Sequence, residues 1–467
     1  MAGHPGWPSL IPPLVAIVLA FASRRILPSL LAGVFVAVIL LDPRHPWAAP
    51  FATLDYMTGI ACIPGNLELI AFSLVVGALL KLIGDANGFA AFAGALEHVR
   101  KDYGKGTVFG LTYALSSLVF LECWSNILIS GTTMAPLYDK LGISRQRLAY
   151  FIHTIGLNTV AMIVINGWGA FYMSVLRAQA TPNPFRLIIA ALPYNLYSWI
   201  CLAMVAVVMV TGWTIGPMRK FEGAAPPVPP VIHAADVDTA PRQSETKPRL
   251  SYLLAPVGVL IATMVTSLYV TGHGDITAGD GSRSILYAAT LATATIAVQL
   301  LAGRVFTFVE IEEKAMQGMR DFFNVSLLIV IALSLGGLCK EMGAGLYISQ
   351  LAQAALPAWL VPAVIFALAA VMSFATGTSY GTLAIMVPLV LPMAAATHLG
   401  SPLLFAACLS GAIFGDNTSP INDNAIITSM ASGATVVDHV RTQMPYALIC
   451  AGLSAIGFLV IPLVHLG

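Results

Sequence analysis

Apolar residues fill most of the chain in long blocks that run from one end of the sequence to the other. A helix that crosses the hydrocarbon core of a bilayer needs about 20 mostly apolar residues. Blocks of this length, with few charges inside them, predict an all-α polytopic membrane protein with roughly 10–13 spans. The predicted spans lie near residues 9–22, 26–41, 65–83, 106–138, 147–180, 185–212, 252–272, 284–302, 323–340, 359–395, 401–435 and 444–466.

Four of these blocks are too long for one crossing of the bilayer. They cover residues 106–138, 147–180, 359–395 and 401–435, and each contains Gly, Pro or clusters of polar residues. Non-helical backbone at membrane depth is tolerated only where it is buried in protein or lines a cavity. The sequence therefore predicts discontinuous helices and re-entrant hairpins in these four blocks.

Residues 213–250 form a predicted linker, because Pro, charged and small residues are concentrated there. The linker divides the chain into an N-terminal transmembrane half, 1–212, and a C-terminal transmembrane half, 251–467. Its basic residues near the helix ends favour a cytoplasmic position by the positive-inside rule, although nearby acidic residues weaken the bias. We expect a multi-pass protein of the cell inner membrane.

The two halves contain similar segments, as expected for a secondary transporter built from two structural repeats, which are commonly inverted. GALLKLIG at 77–84 resembles GGLCKEMG at 336–343. FLECWSN at 120–126 aligns with FATGTSY at 374–380. The predicted repeats cover residues 65–212 and 322–467.

Composition and charge exclude several classes of function. Hydrophobic residues make up 58% of the chain and charged residues 10%, whereas charged residues make up about a quarter of a soluble domain. A formal net charge of +1 gives no basic field for nucleic acid, so the expected partner is the lipid bilayer. The six cysteines occur singly and no H-E-x-x-H motif is present, which argues against a disulfide framework, a zinc site and a metalloprotease. We expect no enzyme activity and no cofactor beyond a coupling ion, Na⁺ or H⁺.

The densest polar run inside an apolar block is GDNTSPINDN at 415–424. An ionisable residue at membrane depth costs roughly 2.5–3.5 kcal/mol on insertion scales, so such a run faces protein, water or a ligand. Pro420 has no amide proton and disfavours helix at Ser419, so the chain must unwind there. Unwinding lets carboxylates, amides and freed carbonyls converge. The predicted site residues of this run are Asp416, Asn417, Ser419, Asn422, Asp423 and Asn424.

Three further polar runs interrupt apolar blocks: ATGTSYGT at 375–382, ECWSN at 122–126 and HTIGLNT at 153–159. The second run is the counterpart of the first in the opposite repeat, and the third takes the place of GDNTSPIND in the first half. These runs contribute the predicted site residues Thr376, Thr378, Ser379, Glu122, Ser125, Asn126, His153 and Asn158.

Structural roles compete with these assignments. A single buried acid such as Glu122 can be satisfied by a neighbouring helix, and His153 suits a buried core histidine as well as a proton carrier. Several other residues near the spans are expected to have structural roles only. They are Trp124, Trp168 and Tyr380 as packing residues, Lys81 and Lys340 extending toward the membrane surface, and Asp438, His439 and Arg441 in a solvated loop.

The polar runs are suited to ion binding. Carboxylate, amide, hydroxyl and carbonyl oxygens are the ligands of small hard cations, and carboxylates at membrane depth also carry protons in transporters. One acid that holds either a cation or a proton, in a site that alternates between the two sides of the membrane, is sufficient for an exchanger. We expect sodium to bind at Asp416, Asp423 and Thr378.

At these residues the chain resembles the NhaC-type sodium/proton antiporters of the ion transporter superfamily. Residues 415–448 are similar to the family pattern of GD, SP, a second Asp and a DHV-x-TQ-x-PYA ending. Residues 375–379 match its A-T-G-T-S signature, and 126–150 resemble its segment with P-L-x-D and S-R-x-x-L-A-Y. The resemblance, which begins near Gly77, implies a two-repeat transporter with crossed, discontinuous helices. Such proteins exchange sodium for protons, or in some members move an organic acid with a cation.

The resemblance also implies site roles for individual residues, and it has departures in the first half. The residues that match are Asp416, Ser419, Asp423, Thr376, Thr378, Ser379 and Asn126. The family has an acidic pair before an aromatic residue and Asn, where this chain has ECWSN at 122–126, and an aspartate where this chain has His153. Asn422 and Asn424 replace the usual Ser and Thr. The reduced negative charge of the first half favours a carrier that also accommodates an organic solute.

We therefore predict a secondary active transporter that exchanges a cation, with sodium expected, for protons through a shared carboxylate site. The alternative is a sodium- or proton-coupled carrier of a small organic acid or amino acid, in which the same aspartates bind only the coupling ion. A channel would conduct without proton counterflow, and a hydrolase would need a nucleophile and a base in one cluster, which the sequence does not contain. A homodimer is compatible with this sequence.

Overall fold

The computed structural model covers nearly all of the predicted transmembrane region. The described residues are 6–23, 25–89, 91, 104–222, 248–344, 347, 350 and 356–466. Most of the predicted linker, residues 223–247, lies outside them, so the linker and the domain boundaries at 213–250 stay predictions. The described end of that segment forms a short 3₁₀ helix, Gly216–Lys220.

The described residues are helical almost throughout, and we number their α-helices α1 to α20. They are α1 (Ile11–Ser23), α2 (Ile26–Leu41), α3 (Ala49–Ala61), α4 (Pro64–Asp85), α5 (Lys105–Leu118), α6 (Cys123–Lys140), α7 (Arg145–Met162), α8 (Gly167–Ala178), α9 (Pro184–Ala191), α10 (Leu196–Thr211), α11 (Ser251–Thr271), α12 (Gly281–Ala302), α13 (Phe308–Asp321), α14 (Phe323–Glu341), α15 (Val361–Thr376), α16 (Ser379–Val390), α17 (Met393–Thr397), α18 (Ser401–Thr418), α19 (Asp423–Ser432) and α20 (Val436–Leu466).

Seven of the described helices are long and apolar enough to cross a membrane. A bent pair, α7 with α8 at 48°, adds an eighth span if the pair counts as one, and four shorter apolar helices accompany them. The prediction of an all-α, polytopic membrane fold is confirmed. The seven long helices are Pro64–Asp85, Leu196–Lys220, Ser251–Thr271, Gly281–Ala302, Phe323–Glu341, Ala358–Thr376 and Val436–Val464.

Each of the four overlong blocks contains a break in the helix. The breaks lie at 119–122, 163–166, 377–378 and 419–422, between α5 and α6, α7 and α8, α15 and α16, and α18 and α19. At the last of them Ser419 has a ψ of 126°, outside the helical region, because Pro420 follows it. The third break turns on Gly377, whose φ of 70° is left-handed and favours glycine.

The two halves contain the same order of elements. A continuous helix, two broken helices and a second continuous helix appear as α4, α5/α6, α7/α8 and α10, and again as α14, α15/α16, α18/α19 and α20. The sequence alignment of the halves needs correction. Residues 153–159 lie inside α7, so the counterpart of the break at 419–422 is 163–166. Glu122 precedes α6 as Thr378 precedes α16, a shift of two residues from the predicted pairing.

The half-helices that follow the breaks pack across the boundary between the halves. α19 lies against α6 and α7, and α8 lies against α14 and α16. This arrangement brings the four breaks together at the centre of the molecule. One loop prediction is wrong: Asp438, His439 and Arg441 belong to α20, and His439 is fully buried.

Candidate functional site

Asp416 lies in the last turn of α18, just before the break at 419–422, and is only 3% exposed. Its Oδ2 accepts a hydrogen bond from the Ser379 hydroxyl and a second, at 3.3 Å, from the Ser379 backbone N–H. Its Oδ1 accepts a hydrogen bond from Nδ2 of Asn424 at 3.0 Å. Three donors from α16 and α19 thus hold this carboxylate, and hydrogen bonds to the charged form stabilise it.

Asn422 connects two breaks of the second half. Its Oδ1 accepts hydrogen bonds from the backbone N–H groups of Asn424, at 2.6 Å, and Ala425, at 3.3 Å, which caps the start of α19. Its Nδ2 donates to the backbone carbonyl of Gly377 at 2.8 Å. One buried side chain therefore satisfies backbone groups on both broken helices at the point where they approach each other.

A cavity of about 100 Å³ lies between the breaks. Both aspartates of the 415–424 run line it: Asp416 from its buried position and Asp423 from an exposed one. Further acids come from Glu122, at the break before α6, and from Asp321, at the end of α13. The prediction that the two aspartates converge at unwound backbone agrees with this geometry, whereas their roles stay predictions.

The structure brings together about half of the predicted site residues. Asp416, Asp423, Asn422, Asn424, Thr378 and Glu122 line the central cavity. Ser379 reaches it through Asp416. Two others are close: Ser125 lines an adjoining cavity of about 380 Å³, and Thr376 lines a third cavity together with Thr378 and Asp423.

Two of the lining residues also hold helix ends. Thr378 Oγ1 accepts a hydrogen bond from the Gly381 N–H at 3.4 Å. The Glu122 carboxylate accepts hydrogen bonds from the N–H groups of Trp124 and Ser125, at 2.8 and 2.6 Å. Both side chains are N-caps of a half-helix, so only part of their acceptor capacity is directed at the cavity.

The other five predicted site residues line neither the central cavity nor the two neighbouring ones. Asn126 donates to the carbonyls of Ser116 and Val119 and so stabilises the end of α5. Asn417 donates to the Tyr197 hydroxyl and accepts from Gln443. The others are Ser419 and Asn158, which are buried and each have one side-chain oxygen without a partner in the described structure, and His153.

His153 contacts a residue that the sequence analysis placed in a loop. Its Nδ1 lies 2.8 Å from Nε2 of His439 on α20, and both rings are fully buried. The remaining nitrogen of each ring has no hydrogen-bond partner in the described part of the chain. The pair connects α7 to α20 and lies outside the lining of the central cavity.

The first half contains an asparagine that sequence reasoning missed. Asn166 caps α8 by accepting from the Gly169 N–H at 3.1 Å, and its Nδ2 donates to the carbonyls of Phe120, at 3.0 Å, and Val160, at 2.8 Å. It therefore joins the breaks of the first half as Asn422 joins those of the second. One alignment of the two halves pairs Glu122 with Thr378 and also Asn166 with Asn422. This alignment was the signal in the sequence that could have identified Asn166.

The same alignment shows that the two aspartates of the site have no charged counterpart in the first half. Val160 occupies the position of Asp416, and Gly167 that of Asp423. The side-chain oxygens of Asp416, Asp423 and Thr378 are suitable ligands for a hard cation. The two carboxylates are also able to carry protons.

The chain shows clear similarity to known membrane transporters. The Na+/H+ antiporter family matches residues 178–462. An uncharacterized protein of Haemophilus influenzae is 27% identical over 488 residues, which cover 98% of this chain and 91% of that protein. The malate-2H(+)/Na(+)-lactate antiporter of Bacillus subtilis is 34% identical over 97 residues, 21% of each chain. The crystal structure of the Alcanivorax borkumensis YdaH transporter shares the fold, with a TM-score of 0.59 at 14% identity over 96% of this chain and 98% of that one.

Proposed function

Because the chain belongs to the Na⁺/H⁺ antiporter family and is a multi-pass secondary transporter, not an enzyme, we propose that it exchanges a cation for protons through Asp416 and Asp423. Sodium is the expected inorganic cation. This family membership was predicted from the motifs at 126–150, 375–379 and 415–448 and is confirmed.

One observation carries the proposal. Asp416 is buried at a helix break, is held by the hydroxyl and amide donors of Ser379 and Asn424, and shares a cavity with Asp423. A carboxylate in this setting binds either a cation or a proton, and not both at once. Exchange follows when the cavity opens alternately to each side of the membrane.

The substitution Asp416→Asn tests the proposal without disturbing the fold. The new amide would meet the amide group of Asn424, but Asn424 can rotate, because its Oδ1 has no partner in the described structure. The fold should therefore persist while the charge is lost. Two unit charges 4 Å apart interact by about 4 kcal/mol at an effective dielectric constant of 20, so we expect at least about a hundredfold loss of cation affinity.

The measurement is proton flux in proteoliposomes with an internal pH dye, in response to sodium, lithium and potassium gradients. Protein-free liposomes set the background. Asp55→Asn, which changes an exposed carboxylate on α3, is the matched control and should behave as the unchanged protein. Sodium-driven proton flux that persists in Asp416→Asn would contradict the proposal, as would the absence of flux with every cation.

A second candidate is a carrier of a small organic acid or amino acid coupled to sodium or protons. The malate-2H(+)/Na(+)-lactate antiporter of Bacillus subtilis supports it, since that relative exchanges malate and protons for sodium and lactate. The reduced charge of the first half, with Val160 and Gly167 opposite the two aspartates, supports it as well. Accumulation of an organic solute with sodium, without proton exchange for any cation, would favour this candidate.

A further inference from the structure

The walls of the central cavity combine acidic and aromatic side chains. Besides the four acids already named, four aromatic residues line it: Trp124, Trp168, Phe322 and Tyr380. No Lys, Arg or His belongs to the described lining. A small inorganic cation requires oxygen ligands only, so these rings have no role in binding sodium. The sequence predicts packing roles only for three of them, Trp124, Trp168 and Tyr380.

The aromatic rings come from both halves, and those of Trp168 and Tyr380 are held by contacts between rings. Tyr380 is the second residue of α16, as Trp124 is the second residue of α6. The ring of Trp168, at the start of α8, has its centroid 4.5 Å from that of Tyr380, and Phe171 contacts Tyr380 edge-on at 4.8 Å. The half-helices thus present an aromatic wall beside the carboxylates.

One buried acceptor in the lining has no donor. Asn424 is 6% exposed, and its Nδ2 is bound to Asp416, but its Oδ1 has no hydrogen-bond partner in the described structure. A buried acceptor without a partner is energetically unfavourable. An N–H group of a ligand would satisfy it, whereas an anionic ligand would not.

We propose that this cavity binds an organic ammonium ion and that this ion is a transported cation. Acids supply charge, aromatic faces attract ammonium groups by cation–π interaction, and Asn424 Oδ1 accepts an N–H. The cavity of about 100 Å³ exceeds the roughly 10–15 Å³ needed for one water, so it accommodates a small organic group. Lys81 and Arg320 line only the adjoining cavity. The inference rests on the proposed cation exchange.

Binding is tested on the purified full-length chain in detergent, with the ligand-dependent change in intrinsic tryptophan fluorescence as the signal. Two of the seven tryptophans, Trp124 and Trp168, line the cavity. Three probes share a propyl group: propylammonium, 1-propanol and butyrate. We expect saturable binding of propylammonium, at least tenfold weaker binding of the alcohol, and no binding of butyrate. Tetramethylammonium, which is charged but cannot donate to Asn424, should bind more weakly than propylammonium and should compete with it.

The aromatic wall is tested by Tyr380→Leu and Tyr380→Phe. Loss of one cation–π contact in a desolvated site corresponds to about tenfold weaker binding, so Tyr380→Leu should raise the dissociation constant of propylammonium about tenfold. Tyr380→Phe keeps the ring and should stay within about twofold. Trp199→Leu, which removes an exposed ring on α10, 52% accessible, should change neither affinity nor fold.

Transport is tested with tetramethylammonium, because a permanently charged ion does not cross the bilayer as a free base. We expect a tetramethylammonium gradient to drive proton flux in proteoliposomes without sodium. Butyrate binding as tight as propylammonium, or equal affinity of Tyr380→Leu and Tyr380→Phe, overturns the inference. Sodium-driven flux in proteoliposomes that show no tetramethylammonium-driven flux overturns it while the exchange stands. Propylammonium binding without proton flux supports the ammonium site and overturns the exchange.

Discussion

Asn422 offers the clearest test of how the breaks are stabilised. The substitution Asn422→Ala removes the acceptor that caps α19 and the donor that reaches the Gly377 carbonyl. Both partners are backbone groups at the centre of the protein, where lipid and packed helices exclude other hydrogen-bond partners. We therefore expect a loss of stability and not only a loss of activity.

The magnitude is the sum of two contributions. Loss of an asparagine N-cap costs about 1 kcal/mol, and a buried carbonyl left without a partner costs about 1–3 kcal/mol. Asn422→Ala should therefore lower the free energy of unfolding by about 2–4 kcal/mol. Asn422→Ser keeps a capping oxygen but is too short to reach Gly377, so it should lose only the second contribution.

The assay is unfolding of the purified chain in mixed micelles, followed with a thiol-reactive dye, since five of the six cysteines are buried. Asn166→Ala, the equivalent change in the first half, should cost as much or more, because Asn166 donates to two carbonyls. Gln317→Ala on the exposed face of α13 is the control and should change stability by less than about 0.5 kcal/mol. An Asn422→Ala protein as stable as the unchanged chain would refute the reasoning.

Two further predictions concern a buried ion cluster and the pH dependence of exchange. Asp85 is buried on α4 and binds Lys81 at 2.9 Å and Lys314 of α13 at 2.7 Å. Asp85→Ala leaves two half-buried ammonium groups unpaired and should lower the free energy of unfolding by about 3 kcal/mol in the same assay. Unchanged stability would contradict a structural role for the cluster. If one carboxylate is shared by cation and proton, the apparent sodium affinity in proteoliposomes should fall about tenfold per pH unit below the carboxyl pKa; an affinity that does not change with pH would indicate separate sites.

The sequence contained enough information to predict the fold class and the four breaks. Long apolar blocks fix the spans, and the position of Pro420 determines where α18 ends, because that restriction is local. The cluster at Lys81 was not predicted, since the residue was expected at the membrane surface. Asp85, which pairs with Lys81, also pairs with Lys314 of α13, an amphipathic helix outside the predicted spans. Long-range pairs of this kind leave no periodic signal.

The candidate site was predicted only in part, and the reason is similar. Asp416 and Asp423 stand out because ionisable residues are costly within an apolar block. His153 and Asn158 appear equally polar in the sequence, yet they are buried within α7 and do not line the central cavity. Asn166 escaped notice because one asparagine beside Gly and Trp carries no charge signal. Its role depends on the carbonyls of Phe120 and Val160, which only the tertiary structure brings within reach.

The bonds of Asn166 and Asn422 run entirely within their own halves of the chain. Each asparagine fastens two interrupted helices to each other, and neither reaches the opposite half. These hydrogen bonds make each half resist internal deformation. The cavity should therefore change the side to which it opens by a rocking movement of the two halves along the seam between them. A cross-link across that seam, such as a disulfide between α6 and α19, should arrest turnover while leaving ligand affinity intact.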